Sequence, residues 1–318
     1  MGSHQARGAM RQTAARLCAA VALCGLALVG RAATPVAAAA SAVPASPTLA
    51  RIAETGTINL GHRESSVPFS YYDGKRQVVG YSQDLMLKVA DAIKAELRLP
   101  ALTLKLVPVT SQNRLALVQN GTVDLECGST SNTAERGRLV AFSTSIFVIS
   151  TRLLVKRGAA IQDFADLAGR KVVVTSGTTS DRLLRTYNES RGSRIQIVTA
   201  RDHDDAFQAL EQGQVEALML DDALLYGERA KARQPEDWIV TGTPMSSEVY
   251  GCMMRRDDPA LKAVVDRALT RLLTSGEALK IYTRWFQRPI PPRGQNLNWP
   301  PSESLLKLYR QPGDQPLP

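Results

Sequence analysis

The chain has 318 residues, of which 44% are hydrophobic and 22% charged, and this composition excludes a disordered chain as the default. The length accommodates two modest lobes or one large domain. The formal net charge of +9 would by itself favour nucleic acid or an anionic membrane as a partner. The Lys and Arg residues are scattered, however, and form no tract with interleaved aromatic residues. We therefore expect no binding to nucleic acid.

The first 45 residues contain no acidic residue and have the order of an export signal. Residues 1–9 resemble vector-derived sequence, so we expect the native chain to start at Met10. Two arginines then form a positive segment, residues 17–29 form an apolar run, and small residues follow up to position 45. The run is short for a membrane span. We therefore predict that residues 1–47 hold a cleaved signal peptide and a linker, with an uncleaved anchor as the alternative.

Cys127 and Cys252 are the two cysteines outside the predicted leader. Two cysteines in an exported chain permit one disulfide bond, and two buried free thiols are the alternative. Their spacing fits no zinc pattern. We expect neither a metal ion nor another cofactor.

After the leader, short apolar runs alternate with helical patterns. In the first part of the chain, strands are predicted at 57–61, 102–109 and 123–127, with helices at 82–97 and 112–119. This order is typical of a mainly parallel sheet that is flanked by helices.

A second unit of the same kind begins after residue 152. The predicted strands are 171–174, 195–198 and 217–220, and the predicted helices are 180–190 and 204–211. A further strand at 250–255, an amphipathic helical stretch at 258–286 and an extended surface tail from Pro289 complete the chain. Two similar α/β units predict a two-lobed α/β fold with a ligand cleft between the lobes.

The sequence offers little support for catalysis. His62 and His203, the histidines beyond the first ten residues, lie in no HExxH, GxSxG or CxxC context, and the chain has no Walker or GxGxxG loop. We predict no catalytic residue and no enzymatic activity.

Polar side chains cluster where the predicted strands end, which is where open α/β sheets bind ligands. Arginine holds a carboxylate with two hydrogen bonds, and helix N-termini also favour anions. The candidate ligand-binding residues are Arg63, Ser111, Arg114, Ser129, Ser131, Arg136, Thr179, His203 and Asp221.

Six of these candidates also have a structural explanation that the sequence leaves open. The two serines Ser111 and Ser129 fit helix N-caps, and Asp221 fits a cap of the helix that follows it. Arg136 fits a solvated surface charge, and Arg63 an ion pair with its neighbour Glu64. His203 fits an ordinary loop or core histidine.

Several strings resemble, in order, the motifs of the family-3 bacterial extracellular solute-binding proteins, and in particular its glutamate/aspartate-binding branch in Gram-negative ABC importers. They are GHRESSVPFSYYD, VTSQNR, ECGSTSN, FADLAGRKVVVTSGTTS, MLDDALLYGERAKA and YGCMMRRDDP. The similarity runs from about residue 49 to at least residue 298. It implies a periplasmic-binding-protein type II fold, a periplasmic location, capture of L-glutamate or L-aspartate by a monomer, and delivery to the membrane permease subunits of an ABC transporter.

The resemblance also implies a role for each candidate residue. The α-carboxylate would be bound by Arg136, Ser131 and Thr179. The ammonium group would be bound by Asp221 with the Ser129 region. The side-chain carboxylate would be bound by Arg63, Ser111 and Arg114, with His203 nearby. Close relatives carry Thr where this chain has Ser131, so the hydroxyl is retained and a methyl group is lost.

The implied lobes are residues 48–149 plus 249–288 for lobe 1 and residues 150–248 for lobe 2, with 289–318 as the tail. The chain would cross between the lobes near Ser150 and Ser247, which would form the hinge. Both mature cysteines then fall in lobe 1, and we expect a disulfide bond between them. The alternatives are a binding protein for another amino acid, an enzyme that resembles cyclohexadienyl dehydratase with Glu64 or Glu126 as its acid, and a sensor input domain.

Overall fold

The structure, a computed structural model, describes residues 46–317. The predicted signal peptide therefore lies outside the described residues, apart from the last two residues of its linker. The helices are α1 (Pro47–Thr55), α2 (Tyr81–Glu96), α3 (Arg114–Gln119), α4 (Thr179–Arg191), α5 (His203–Glu211), α6 (Asp222–Lys231), α7 (Pro259–Thr274), α8 (Glu277–Phe286) and α9 (Glu303–Arg310).

Most of the strands, whose ranges follow in chain order, join into one mixed sheet. Its strand order is β5-β1-β6-β12-β7-β10-β8-β9, and β11 also pairs with β7. The strands are β1 (Thr57–His62), β2 (Ser65–Ser66), β3 (Ser70–Tyr72), β4 (Val78–Val79), β5 (Thr103–Pro108), β6 (Leu125–Glu126), β7 (Val140–Lys156), β8 (Lys171–Thr175), β9 (Gln196–Ala200), β10 (Ala217–Asp221), β11 (Trp238–Thr241), β12 (Ser247–Arg255), β13 (Pro289–Ile290) and β14 (Gln295–Asn296).

The sheet has two sections that share the long strand β7. In the first section, β1 pairs in parallel with β5 and β6, and in the second section β8 pairs in parallel with β9 and β10. We call the first section, with α1–α3, α7, α8 and the small sheet β2–β4, the first lobe. The second section, with α4–α6 and β11, is the second lobe. The predicted two-lobed α/β fold is thereby confirmed.

The strand β7 was not predicted from the sequence, although it is the longest strand of the described chain at 17 residues. Its first half pairs antiparallel with β12 up to Ser150, and from Thr151 it pairs antiparallel with β10. Serine and threonine interrupt its apolar residues, so neither a buried run nor a clean alternation marks it.

The predicted disulfide bond is confirmed, and two free thiols are excluded. Cys127 directly follows β6 and Cys252 lies on β12, with 4.3 Å between their Cα atoms. Both residues are fully buried in the first lobe. The bond covalently links the loop after β6 to β12 and closes a long segment of the chain, which stabilises the folded state.

The prediction of an extended C-terminal tail is wrong, because residues 289–317 contain the β13–β14 hairpin and helix α9. Ser302 caps α9 by accepting a hydrogen bond from the Leu305 amide, and Leu305 and Tyr309, four residues apart, are buried on one face of the helix. The Tyr309 hydroxyl lies 2.6 Å from that of Tyr81 in the first lobe. Burial of this apolar stripe overrides the local Pro and Asn content.

The predicted helical stretch 258–286 is two helices, because Gly276 interrupts it with a φ of 81°. Helices α7 and α8 pack on α2 over the first section of the sheet. Within residues 46–317, none of the helices has the length and apolarity that crossing a membrane requires.

Candidate functional site

Arg63 and Arg114 lie together on the cleft wall of the first lobe, with exposed fractions of 1% and 2%. Arg63 Nη1 donates to Ser129 Oγ (3.4 Å), and Arg114 Nη1 donates to the Ser129 carbonyl (3.0 Å) and to Thr130 Oγ1 (2.6 Å). Burial, and next the charge of Arg63, lower the pKa of Arg114 to about 10. Among residues 46–317, Arg63 and Glu64 form no ion pair within 4 Å, so that explanation is wrong.

Arg136 connects the two lobes. It begins a short 3-10 helix, is 8% exposed, and donates from Nη1 to the Ser131 carbonyl (2.9 Å) and from Nη2 to the Gly177 carbonyl of the second lobe (3.1 Å). Burial, and then the neighbouring Arg114, lower its pKa to about 10. Arg136 is therefore not a solvated surface charge.

The serine candidates do not cap helices. Asn113, not Ser111, occupies the N-cap position of α3, and Ser111 is 2% exposed with no hydrogen-bond partner for its Oγ among residues 46–317. Ser129 Oγ donates to Ser66 Oγ (3.1 Å). Ser131 is buried and forms a backbone bridge with Tyr250 of β12.

Two candidates on the second lobe lie in the first turns of helices. Thr179 begins α4, whose cap is Thr178, and is 5% exposed. His203 begins α5, is 1% exposed, and places Nδ1 2.9 Å from Thr175 Oγ1. Burial, and next the nearby Arg63, hold the pKa of His203 well below its usual value, so the imidazole is neutral at pH 7.

Asp221 ends β10 and precedes α6, but its carboxylate makes no capping hydrogen bond. Instead it accepts hydrogen bonds from Ser180 Oγ (3.2 Å) and from the hydroxyl of Tyr250 on β12. Burial, followed by repulsion from Glu248, raises the pKa of Asp221 to about 7. Asp221 therefore occupies the N-cap position of α6, but its carboxylate bonds to Ser180 and Tyr250 and not to the helix.

Three buried polar atoms of the cleft make no hydrogen bond within the described residues. They are Ser111 Oγ, Arg114 Nε and His203 Nε2. Buried polar atoms are nearly always paired in native proteins. These three belong to both lobes. Ser111 Oγ and Arg114 Nε can donate to an acceptor on a ligand held between the lobes, and His203 Nε2 can do so in the tautomer whose Nδ1 accepts from Thr175 Oγ1.

The lobes touch along the cleft. Gln112 Nε2 donates to Ser176 Oγ (2.8 Å), and Gly177, with a φ of 79°, lies so close to Ser111 that a Cβ atom would meet its carbonyl oxygen at 2.8 Å. On the other side of the cleft, Gly227 of α6 packs against the backbone of Val67. The structure thus has its lobes closed on each other.

Sequence reasoning missed several residues that complete the site. Tyr250 reaches Asp221, and Thr130 contacts Arg114 and Glu126. Thr130 lies inside the GSTSN string, which was a usable signal. No sequence signal shows that the Tyr250 hydroxyl meets Asp221, because that contact depends on how the lobes are placed.

The assembled site suits a small ligand that carries more carboxylate than ammonium groups. Three guanidinium groups face it, with two buried acidic side chains beside them: Asp221 on the second lobe and Glu126 on the first lobe. Among residues 46–317, no cluster of three or more His, Cys, Asp or Glu side chains has the arrangement of a metal site.

A family model described as bacterial extracellular solute-binding proteins, family 3, matches residues 58–288. The chain is 51% identical over 277 residues to the glutamate/aspartate import solute-binding protein of Escherichia coli (strain K12), covering 87% of this chain and 92% of that protein. It is 55% identical over 269 residues to the L-glutamate/L-aspartate-binding protein of Pseudomonas aeruginosa, covering 84% and 89%.

Solved structures agree with this assignment. A mutant of ArgBP from T. maritima has a TM-score of 0.68 at 26% identity, covering 76% of this chain and 99% of that chain. The ancestral amino acid-binding protein AncCDT-1, a precursor of cyclohexadienyl dehydratase, has a TM-score of 0.64 at 28% identity, covering 75% and 99%. The chain belongs to family 3 of the bacterial extracellular solute-binding proteins.

Proposed function

We propose that this protein captures L-glutamate or L-aspartate by closing its lobes around the amino acid and delivers it to the membrane permease subunits of an ABC transporter. The observation that carries the proposal is the convergence of three buried arginines on residues 129–131. The names and identity of the relatives in E. coli and P. aeruginosa support it independently.

Charge is the main argument for an acidic amino acid. Burying a guanidinium group is costly unless an anion accompanies it, and the lowered pKa values of Arg114 and Arg136 reflect burial and mutual repulsion. Glu126 accounts for one accompanying acidic group, and a ligand with two carboxylates relieves the remaining cost for the three arginines. Glutamine offers only one carboxylate, so we expect it to bind far more weakly than glutamate.

Each end of the ligand is assigned to particular side chains. We assign the α-carboxylate to Arg136, Ser131 and Thr179 at the start of α4, where helix N–H groups and the macrodipole favour anions. The ammonium group goes to Asp221, with Ser129 nearby.

The side-chain carboxylate is assigned to Arg63, Ser111 and Arg114, with His203 as a neutral donor from the second lobe. This assignment uses the three buried polar atoms Ser111 Oγ, Arg114 Nε and His203 Nε2, which have no partner among residues 46–317. Each charge-assisted hydrogen bond is worth about 1.5–3 kcal/mol. Aspartate, one methylene shorter, would keep the same partners with water filling the gap.

We place the lobe boundaries at residues 48–149 plus 249–288 and at residues 150–248. The crossing points near Ser150 and Ser247 are supported by the exchange of pairing partners along β7, where Ser247 opposes Ser150 and β10 takes over from Thr151. Opening at these two strands would expose the arginines to incoming ligand.

We further propose that the leader is removed on export and that the mature protein acts in the periplasm. The basic segment, apolar run and small residues of positions 10–45 support this location. Mass spectrometry of protein secreted by a Gram-negative host would give the new N-terminus, and a chain that keeps residues 10–45 would contradict cleavage.

Calorimetric titration tests the ligand. Mature protein is freed of endogenous ligand by unfolding and refolding, and is then titrated with glutamate, aspartate, glutamine and histidine. We expect tight binding of the acidic pair alone, and its loss in Arg63→Ala and in Arg136→Ala. Tight binding of glutamine or histidine would contradict the ligand assignment, and turnover of prephenate or arogenate would support an enzyme instead.

A further inference from the structure

A buried carboxylate, that of Glu126, lies behind the arginines of the cleft. Glu126 is on β6, has no exposed surface, and is paired through its backbone with Gly61 of β1 and Met253 of β12. An ionised carboxylate at such a position is costly unless it is paired. Its presence inside the sheet therefore needs an explanation beyond packing.

Two glycines provide the space that this side chain occupies. A Cβ atom on Gly61 would lie 3.1 Å from Cβ and Cγ of Glu126, and a Cβ atom on Gly128 would collide with Glu126 Oε1. Any other residue at Gly128 would displace the carboxylate. The two glycines therefore leave room for the carboxylate, of which Oε2 is hydrogen-bonded and Oε1 has no partner among residues 46–317.

One hydroxyl group connects Glu126 to the site. Thr130 Oγ1 donates to Glu126 Oε2 (3.0 Å) and accepts from Arg114 Nη1 (2.6 Å). A hydroxyl has a single proton to donate. Because Thr130 donates this proton in its hydrogen bond to Glu126, the lone pairs of Thr130 Oγ1 are left to accept from Arg114. Glu126 thus fixes the orientation of Thr130, and Thr130 fixes Arg114.

The remaining contacts of Arg114 make this support important. Its Nη1 is the atom held, by Thr130 and by the Ser129 carbonyl (3.0 Å), whereas its Nε is buried with no partner among the described residues. Holding Nη1 from behind leaves the other side of the guanidinium directed at the cleft. A guanidinium that is free to rotate would lose this alignment and part of its affinity for a carboxylate.

We propose that Glu126 and Thr130 are positioning residues, which hold Arg114 in the orientation that recognises the side-chain carboxylate of an acidic amino acid. This inference rests on the proposed function for the identity of the ligand. Neither residue is assigned a contact with the ligand. Their effect on affinity is indirect and acts on one end of the ligand alone.

Calorimetric titration of Thr130→Val and Thr130→Ser tests the proposal. We expect Thr130→Val to weaken glutamate binding at least about 10-fold, which corresponds to about 1.4 kcal/mol. The Kd of glutamine, measured by competition at millimolar glutamine, should change less than about threefold, because the glutamine amide does not need an aligned guanidinium. Thr130→Ser keeps the hydroxyl and should stay within about threefold of the wild type. Equal losses for both ligands would indicate a merely structural role and overturn the proposal.

A double-variant cycle includes Glu126. If Glu126 acts through Thr130, the fold-losses in glutamate affinity caused by Glu126→Gln and by Thr130→Val should not multiply in the combined variant. Multiplied losses would overturn the connection. Should Glu126→Gln fail to fold, a ¹⁵N NMR spectrum of the ligand-free Thr130 variants tests whether Thr130 holds Arg114. The Arg114 side-chain signal should persist in Thr130→Ser and broaden or vanish in Thr130→Val. Failure of wild-type protein to bind glutamate would contradict the proposed function alone, because the NMR result needs no ligand.

Discussion

The two walls of the cleft differ in charge and in how their side chains are held. The first wall, Arg63, Arg114 and Arg136, is cationic, and all three arginines bond to residues 129–131 of their own lobe. The second wall, Thr179, His203 and Asp221, is neutral or acidic, and burial holds the pKa of His203 low and raises that of Asp221 to about 7.

This difference separates two tasks. The first wall is assembled within one lobe, so it can attract and orient carboxylates before the lobes meet. The second wall meets the first through the Gly177 carbonyl, which accepts from Arg136, and through Asp221, which accepts from Tyr250. We infer that the first wall sets which ligands bind, whereas the second wall couples binding to closure.

The largest expected effect comes from removing a cation of the first wall. Arg114→Met preserves the apolar length of the side chain but leaves a bound carboxylate without its partner, which costs about 3–5 kcal/mol. We expect glutamate affinity to fall by at least about 100-fold in calorimetric titration. The ligand-free protein should remain folded by circular dichroism.

Arg182→Met is the matched control. Arg182 pairs with Glu135 across the cleft, yet both side chains are exposed, at 53% and 68%. Surface ion pairs contribute little, so its affinity should change less than about fivefold. Equal losses in Arg114→Met and Arg182→Met would mean that general electrostatic attraction, and not the first wall, determines affinity.

The next effect tests closure without touching the polar groups of either wall. Gly227 lies inside α6, where alanine is favoured over glycine by about 0.5–1 kcal/mol. A Cβ atom at this position would collide with the Val67 carbonyl of the first lobe. We expect Gly227→Ala to weaken glutamate binding by about 10- to 100-fold, since overpacking of this kind costs about 1–3 kcal/mol. The melting temperature of the ligand-free protein should be unchanged or higher.

Gly74→Ala provides the comparison, because a Cβ atom at Gly74 would meet only Pro292, at an ordinary 3.8 Å. Its affinity for glutamate should match that of the wild type. Small-angle X-ray scattering should show that Gly227→Ala stays more extended than the wild type at saturating glutamate. A variant with full affinity and normal compaction would show that the contact with Val67 is not needed for closure.

Local patterns predicted the parts of the fold and site that depend on neighbouring residues. The apolar periods predicted seven of the described strands and helices α2 to α5 within a few residues, and the helix predicted at 180–190 is α4, which begins at Thr179. The polar residues after the strands do converge, because parallel strands end at the same edge of a sheet. These features needed no knowledge of distant contacts.

The same patterns failed where burial depends on distant partners. The pattern of residues 123–127 predicts a strand but not the surroundings of its two carboxylates, and the exposed fractions of Asp124 and Glu126 are 4% and 0%. Asp124 is buried because it pairs with Arg51 and accepts from the Asn59 amide (2.8 Å). Glu126 is buried in the space left by two glycines. Neither neighbourhood is visible from the strand itself.

The apolar alternation of residues 102–109 correctly predicts a strand, β5, but not how exposed that strand is. Leu104 and Leu106 are both 41% exposed, because β5 is the edge strand of the sheet and pairs only with β1 among the described strands. Strand order is a property of the whole fold. An alternating pattern cannot tell an edge strand from a central one.

The last expected effect is on stability and not on affinity, and it concerns the acidic residue of the second wall. The pKa of Asp221 is raised from 3.8 to about 7 in the folded protein, so between these values the folded state binds a proton that the unfolded state has released. Stability of the ligand-free protein should therefore be greatest near pH 4 as far as this group is concerned, fall as pH rises to about 7, and level off above. The raised pKa values of Asp222, to about 6, and Glu228, to about 7, act in the same direction.

Urea unfolding of the wild type and Asp221→Asn at pH 5, 6, 7 and 8 measures this contribution. His203, whose pKa is lowered, acts in the opposite direction below its unfolded pKa, and it is common to both proteins. The difference in the free energy of unfolding, variant minus wild type, should therefore increase from pH 5 to pH 7 and stay constant between pH 7 and 8. If this difference were constant across the series, Asp221 would stay ionised when buried. The second wall would then carry a negative charge at every pH tested, just as the arginines of the first wall carry positive charges.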